Sequence, residues 1–173
     1  MDKSEHCKEV YAHHGLAMYR AQCVEQSIVQ LLIYFDFFAK KVPLLKSVEQ
    51  WKQDFDNFDQ VMSAKTMGQL VKKLVDLGAV DPTIETLLRE GLKARNYLAH
   101  RFFVDHALNF LSEEGRNKMI VEAEENCKLF NEIEEMLNPI THALSEKYGI
   151  TQEQLKEIEQ MLFKKAGGDL DPP

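Results

Sequence analysis

The sequence predicts an all-α helical bundle of four to six helices in up-down topology, led by one long helix, in a single domain over residues 1–173. Three observations predict it. Glycine and proline are sparse, at 8 and 5 in 173 residues, so little interrupts a helix. Leu, Glu, Lys, Gln and Ala, the strong helix formers, are abundant. Apolar residues recur at steps of three, four or five, and no segment reads as a strand.

The first helix runs from about Lys3 to Lys40, with only Gly15 as a weak point. Its apolar stripe is Leu16, Tyr19, Cys23, Ile28, Leu31, Phe35 and Phe38. At the helical rise it spans about 55 Å, long enough to need a partner helix or a second subunit to cover it. Pro43 ends it, because the residue before a proline avoids helical geometry. A short amphipathic piece carrying Val48, Trp51, Phe55 and Phe58 follows, with a loop, to about Ser63.

Thr66 then N-caps "MGQLVKKLVDL", which Gly78 stops. "DPTIETLLREGLKARNYLAHRFF" is the next helix, with Asp81 as N-cap and Pro82 at the first helical position. Its core face is Ile84, Leu87, Leu88, Leu92 and Leu98. Ser112 opens a second long helix through Ile120, Ala123, Cys127, Phe130, Ile133 and Leu137, kinked or broken at Pro139. The chain stays helical to Gly149. A last helix is capped by Thr151 and closed by Gly167, leaving residues 168–173 as a disordered tail.

A 173-residue chain that is 45% hydrophobic can bury a core without disulfides or metal. Cys7, Cys23 and Cys127 are odd in number and lack paired-ligand spacing, which suggests reduced thiols in the cytoplasm. The N-terminus has no signal-peptide run, and "LLIYFDFFA", broken by Asp36, is too short to span a bilayer, so no membrane partner is expected. A net charge of −7 argues against indiscriminate nucleic-acid binding. The charge is uneven, however. Residues 65–101 hold seven cations against four acids, the one basic island in an acidic chain.

Within that island lies "KARNYLAHRFF", residues 93–103. Asn96 and His100 are four apart and share a helix face, whereas Arg95 and His100 diverge by roughly 140° around the axis. A straight helix therefore cannot aim both at one small ligand. A symmetric pair of helices, or a local distortion, could. The residue types suit metal-independent attack on RNA. His moves protons near neutral pH, Arg offers a permanent fork of donors to phosphoryl oxygens, and Asn fixes a hydroxyl or a tautomer. The same types also serve a structural end, in which Arg and His cap carbonyls or pair with a carboxylate on the next helix.

"RNYLAH" resembles the signature of the HEPN superfamily, in which an Arg is followed by a polar residue, often Asn, and then by a His after four to six intervening positions. The helix order, with a long first helix and the motif on a later one, is similar to that family's. The resemblance implies a HEPN-like homodimer with two motifs meeting in a cleft and metal-independent ribonuclease activity. It further implies a stress, toxin–antitoxin or phage-defence role, with an antitoxin or other protein as a further partner. Arg95 and His100 would be catalytic, with Asn96 in support. Lys93, Arg101 and Tyr97 would contact RNA, and no cofactor or metal would be needed. Where some family toxins carry a Tyr two positions after the His, this chain has Phe102, which has no hydroxyl for a partner to modify. Some relatives in that superfamily lack nuclease activity, so a helical dimer binding a nucleotide or a protein is the alternative. A third is the antitoxin side of such a pair.

Gln22 and Glu25 lie close to the first helix's apolar stripe and need polar partners. Arg95 is one candidate, and ordinary helix packing is the other account. His6, Cys7, His13 and His14 lack the tight spacing of a structural metal site. His106 and His142 stand alone. The aromatic run Tyr34, Phe35, Phe37 and Phe38 reads as core or interface.

Overall fold

A computed structural model describes residues 2–165, and among these the chain is helical with no strand. Its elements are α1 (Lys3–Leu32), a π-helical continuation (Ile33–Phe38), α2 (Ala39–Lys41), α3 (Val48–Ser63), α4 (Met67–Asp76), α5 (Pro82–His100), α6 (Phe102–Asp105), α7 (Glu113–Lys147) and α8 (Gln152–Lys165). Short 3-10 turns lie at Val42–Leu44 and Asn109–Leu111. Among the described residues six of these helices have ten residues or more, and α2 and α6 are short.

The bundle is built around α1 and α7, which run parallel, since His6, His13 and Ser27 reach Asn117, Glu124 and Glu134 in turn, with α4 and α5 set against them. Val10, Ala17, Ala21, Val24, Ile28 and Leu31 of α1 meet Met119, Ala123, Phe130, Ile133 and Leu137 of α7 in one continuous core. The core stripe of α1 therefore differs from the expected one. Ile28 and Leu31 are buried, but Leu16 and Tyr19 are 47% and 59% exposed. Small residues at Ala17 and Ala21 bring α7 close, and the larger Leu16 and Tyr19 are left outside.

The first helix is also not α-helical to Lys40. It widens into a π segment at Ile33. Five residues beyond buried Leu31, the step a π turn makes, comes Asp36, which is 6% exposed. Its Oδ2 lies 2.6 Å from Lys73 on α4, and Oδ1 lies beside Lys40 without an aligned hydrogen bond. The π turn thus directs a carboxylate to a lysine on the neighbouring helix. Tyr34 and Phe37 are buried beside it, in an aromatic cluster with Phe38, Trp51, Phe55, Phe58 and Tyr148.

The caps lie where the sequence puts them. Thr66 and Gln69 form a reciprocal capping box, and Asp81 accepts from the amides of Thr83 and Ile84. Gly78 and Gly149 take positive φ at the ends of α4 and α7. α7 continues through Pro139 to Lys147, so of the kink or break expected there the break does not occur. One further expectation is corrected. The helix bearing the motif stops at His100 instead of running through Phe103. Arg101 leaves helical geometry at φ −124°, and this turns Phe102 into the core, where it is fully buried. Gly167 and residues 168–173 lie outside the described residues.

Candidate functional site

α5 carries the motif, and its packing decides what each side chain can do. Ile84, Leu88, Gly91 and Leu98 form its buried face. Arg95 lies at the edge of that face, reaching α1, where its Nε donates to Glu25 Oε1 at 3.0 Å. The pair is half-buried, with side chains 30% and 22% exposed. Arg95 Nη1 also approaches Asn96 Oδ1 at 3.4 Å. Of the two residues proposed to support Arg95, the structure brings Glu25 to it. Gln22 is instead exposed.

Lys93, Asn96, His100 and Arg101 are exposed. Arg101 pairs with Asp105 one turn on. Among the described residues, His100 has no hydrogen-bond or ion-pair partner. α5 is regular from Arg95 to His100, so no distortion brings the two side chains together and they point to different sides of one helix.

Tyr97 is engaged within the chain. Its hydroxyl lies 3.2 Å from His106 Nε2, which is itself 2.8 Å from Glu122 Oε2. The Asn109 amide nitrogen lies 2.8 Å from His106 Nδ1. A carboxylate accepts and an amide N–H donates, so one tautomer satisfies all of this, with the ring proton on Nε2. Burial first, and then the Glu122 carboxylate, push the Tyr97 phenol above its usual range, so it stays protonated. His106, unremarkable in the sequence, joins α5, α6 and α7.

A residue that sequence reasoning weighed only as a metal ligand is His14. Its Nε2 lies 3.1 Å from the Leu98 carbonyl, and its ring packs against Phe102 and Phe103 at 5.0 and 4.8 Å. A carbonyl can only accept, so His14 donates. Leu98 is in the last turn of α5, where carbonyls lack intrahelical partners, and His14 thereby fixes the turn that bears His100. No local signal on α1 marks this contact, which crosses 84 positions of sequence.

The basic island is less basic in space than in sequence. Lys72, Arg89, Lys73, Arg95 and Arg101 are paired with Asp76, Glu85, Asp36, Glu25 and Asp105. Lys65 and Lys93 have no ion-pair partner among the described residues. A groove of about 820 Å³ runs along the outer face of α1, lined by Tyr19, Gln22, Cys23, Glu25, Gln26 and Glu134 among others. Glu25 thus joins the groove to Arg95. Among the described residues no cluster of three or more His, Cys, Asp or Glu side chains is placed to hold a metal ion, and no helix is long and apolar enough to cross a membrane. The three cysteines are free thiols, all half-buried.

Comparison with known proteins finds no matching family model, no similar curated protein and no similar solved structure.

Proposed function

We propose that this chain is a metal-independent endoribonuclease of HEPN type, an up-down helical bundle that cuts RNA as a symmetric dimer in the cytoplasm. The observation that carries the reading is His100, exposed and unpartnered at the end of α5, one turn beyond Asn96. The turn beneath it is held by His14 and by buried Phe102. An imidazole free of protein partners on a fixed turn is available for proton transfer.

In the reaction, His100 takes the proton of a ribose 2′-hydroxyl. The freed oxygen attacks the adjacent phosphorus, and Arg95 stabilises the charge that accumulates on the phosphorane oxygens. A protonated His100 from the second motif returns a proton to the departing 5′-oxygen. The products are a 2′,3′-cyclic phosphate and a 5′-hydroxyl. The dimer supplies what one helix withholds, since Arg95 and His100 of a single α5 point apart. Asn96 orients the guanidinium, Glu25 anchors it, and Lys93 and Arg101 meet the RNA backbone. Such an enzyme fits a toxin, stress or phage-defence role, restrained by an antitoxin or other protein partner.

The Arg95–Glu25 ion pair favours a second reading. A guanidinium already neutralised by a carboxylate contributes less to a phosphorane, and this would suit a dimer that binds a nucleotide or protein without cutting. End-labelled structured and unstructured RNAs, incubated in EDTA with wild type, Arg95→Ala and His100→Ala, separate the two. The nuclease reading expects cleavage by wild type to cyclic phosphate ends, and a loss of about 100-fold or more in each variant. Equal cleavage by His100→Ala, or none by wild type, gives the site to binding.

A further inference from the structure

On α5, Lys93, Asn96 and His100 fall at steps of three and four, and Phe103 of α6 follows three residues later. All four are exposed. The first three share a helix face, and the Phe103 Cα lies no more than about 11 Å from that of His100, the reach of three residues. A lysine outside every ion pair among the described residues, an amide, an imidazole and an aromatic ring thus follow one another over about 15 Å.

Phe103 is one ring of a cluster that joins α1 to the turn beyond α5. Its centroid lies 5.7 Å from that of Tyr11, tilted by 49°, 4.8 Å from that of His14 and 6.3 Å from that of Phe110. Tyr11 and Phe110 are 5.6 Å apart. His14 and Phe110 are half-buried, whereas Tyr11 is 54% and Phe103 38% exposed. Two rings are therefore held in place by their neighbours yet open to solvent, so a flat ligand meets a surface already ordered. Tyr97, expected to contact RNA, is engaged by His106 and is not part of this surface.

The position beside His100 decides which flat ligand fits. The group carried by a phosphodiester strand next to the bond being cut is a nucleobase, and every base offers a π face to an aromatic side chain. Arg101, between His100 and Phe103, is paired with Asp105, so ring contact rather than net charge must hold the strand at this point. A base inside a duplex has its faces covered by its neighbours, and only an unpaired base can be laid on a side chain.

We infer that Phe103 and Tyr11 are a stacking platform for the unpaired base next to the phosphate at His100, which makes single-stranded RNA the substrate class. The inference rests on the nuclease reading, and its test separates the two.

The full chain is titrated with uncleavable 2′-O-methyl single strands carrying 2-aminopurine at successive positions, and cleavage of the unmodified strand is followed in parallel in EDTA. Stacking on a side-chain ring quenches the probe. Wild type, Phe103→Tyr and Leu108→Ala, the last at an 82% exposed aliphatic position, should bind alike and quench it. Phe103→Leu should bind about 5- to 100-fold more weakly and leave the probe bright, with helical circular dichroism unchanged. Should Phe103→Leu lose helicity, Tyr11→Leu is the second variant, with the same loss expected. Equal binding and quenching by the leucine variant overturn the platform, and if wild type cleaves, the nuclease stands without it. A wild type that binds no single strand, or binds a duplex of the same sequence as tightly, also overturns the platform. Binding that depends on the ring, with no cleavage by wild type, keeps the platform and removes the nuclease.

Discussion

Asp36 shows how one residue's environment sets a measurable pH dependence. Burial by itself would raise its carboxyl pKa, but the ammonium groups of Lys40 and Lys73 outweigh that and leave it lowered. A carboxyl whose pKa is lower folded than unfolded adds stability above the unfolded value, near 4, and loses it as the pH falls through the folded value. Asp36→Asn should therefore cost about 1–3 kcal/mol at neutral pH, since both lysines retain some access to water. Urea denaturation across pH 2 to 7 should show the wild type's advantage level down to about pH 5 and shrinking below about pH 4. A gap that widened in acid would contradict the assignment. The same residue was legible in the sequence only as a break in an apolar run. Its partner Lys73 lies on another helix, and no periodicity announces such a contact.

Helix starts and stops were the most legible elements, because capping is local. Thr66, Asp81 and Ser112 accept amide hydrogens of the turn that follows, as the sequence predicts, and Ser47, not singled out there, does the same. The end of α5 was not legible, since the driving force there is the burial of Phe102 against α1. Distance between helices is another property decided across the fold. A Cβ at Gly91 of α5 would lie 2.4 Å from Ile133 Cδ1 of α7, and Ile133 is fully buried with little room to yield. Gly91→Ala should gain about 1 kcal/mol of helix propensity and lose about 1–3 kcal/mol to overpacking. The expected outcome in urea is a net loss, restored by adding Ile133→Val, which removes the clashing methyl. Stabilisation by Gly91→Ala alone would mean that α5 and α7 are further apart.

At the scale of the whole molecule, the symmetric dimer proposed for RNA cleavage would make stability depend on concentration, because mass action favours the folded, associated state. The wild-type Tm, followed by circular dichroism, should rise with each tenfold increase in protein. A constant wild-type Tm would contradict it. The sequence by itself determined the all-helical class, the helix boundaries set by caps and glycines, and the placing of Arg95, Asn96 and His100 on one helix. Each of these depends on residues a few positions apart, whose geometry the helix repeat prescribes. Only the tertiary structure decided that Arg95 meets Glu25, that His14 holds the turn under His100, and that five of the seven cations in the basic island are neutralised. It also decided which residues of α1 are covered. A period states only that a helix has a side to bury. Which side is buried depends on the shape of the neighbour, and here α7 fits against the alanines and leaves Leu16 and Tyr19 to the outside.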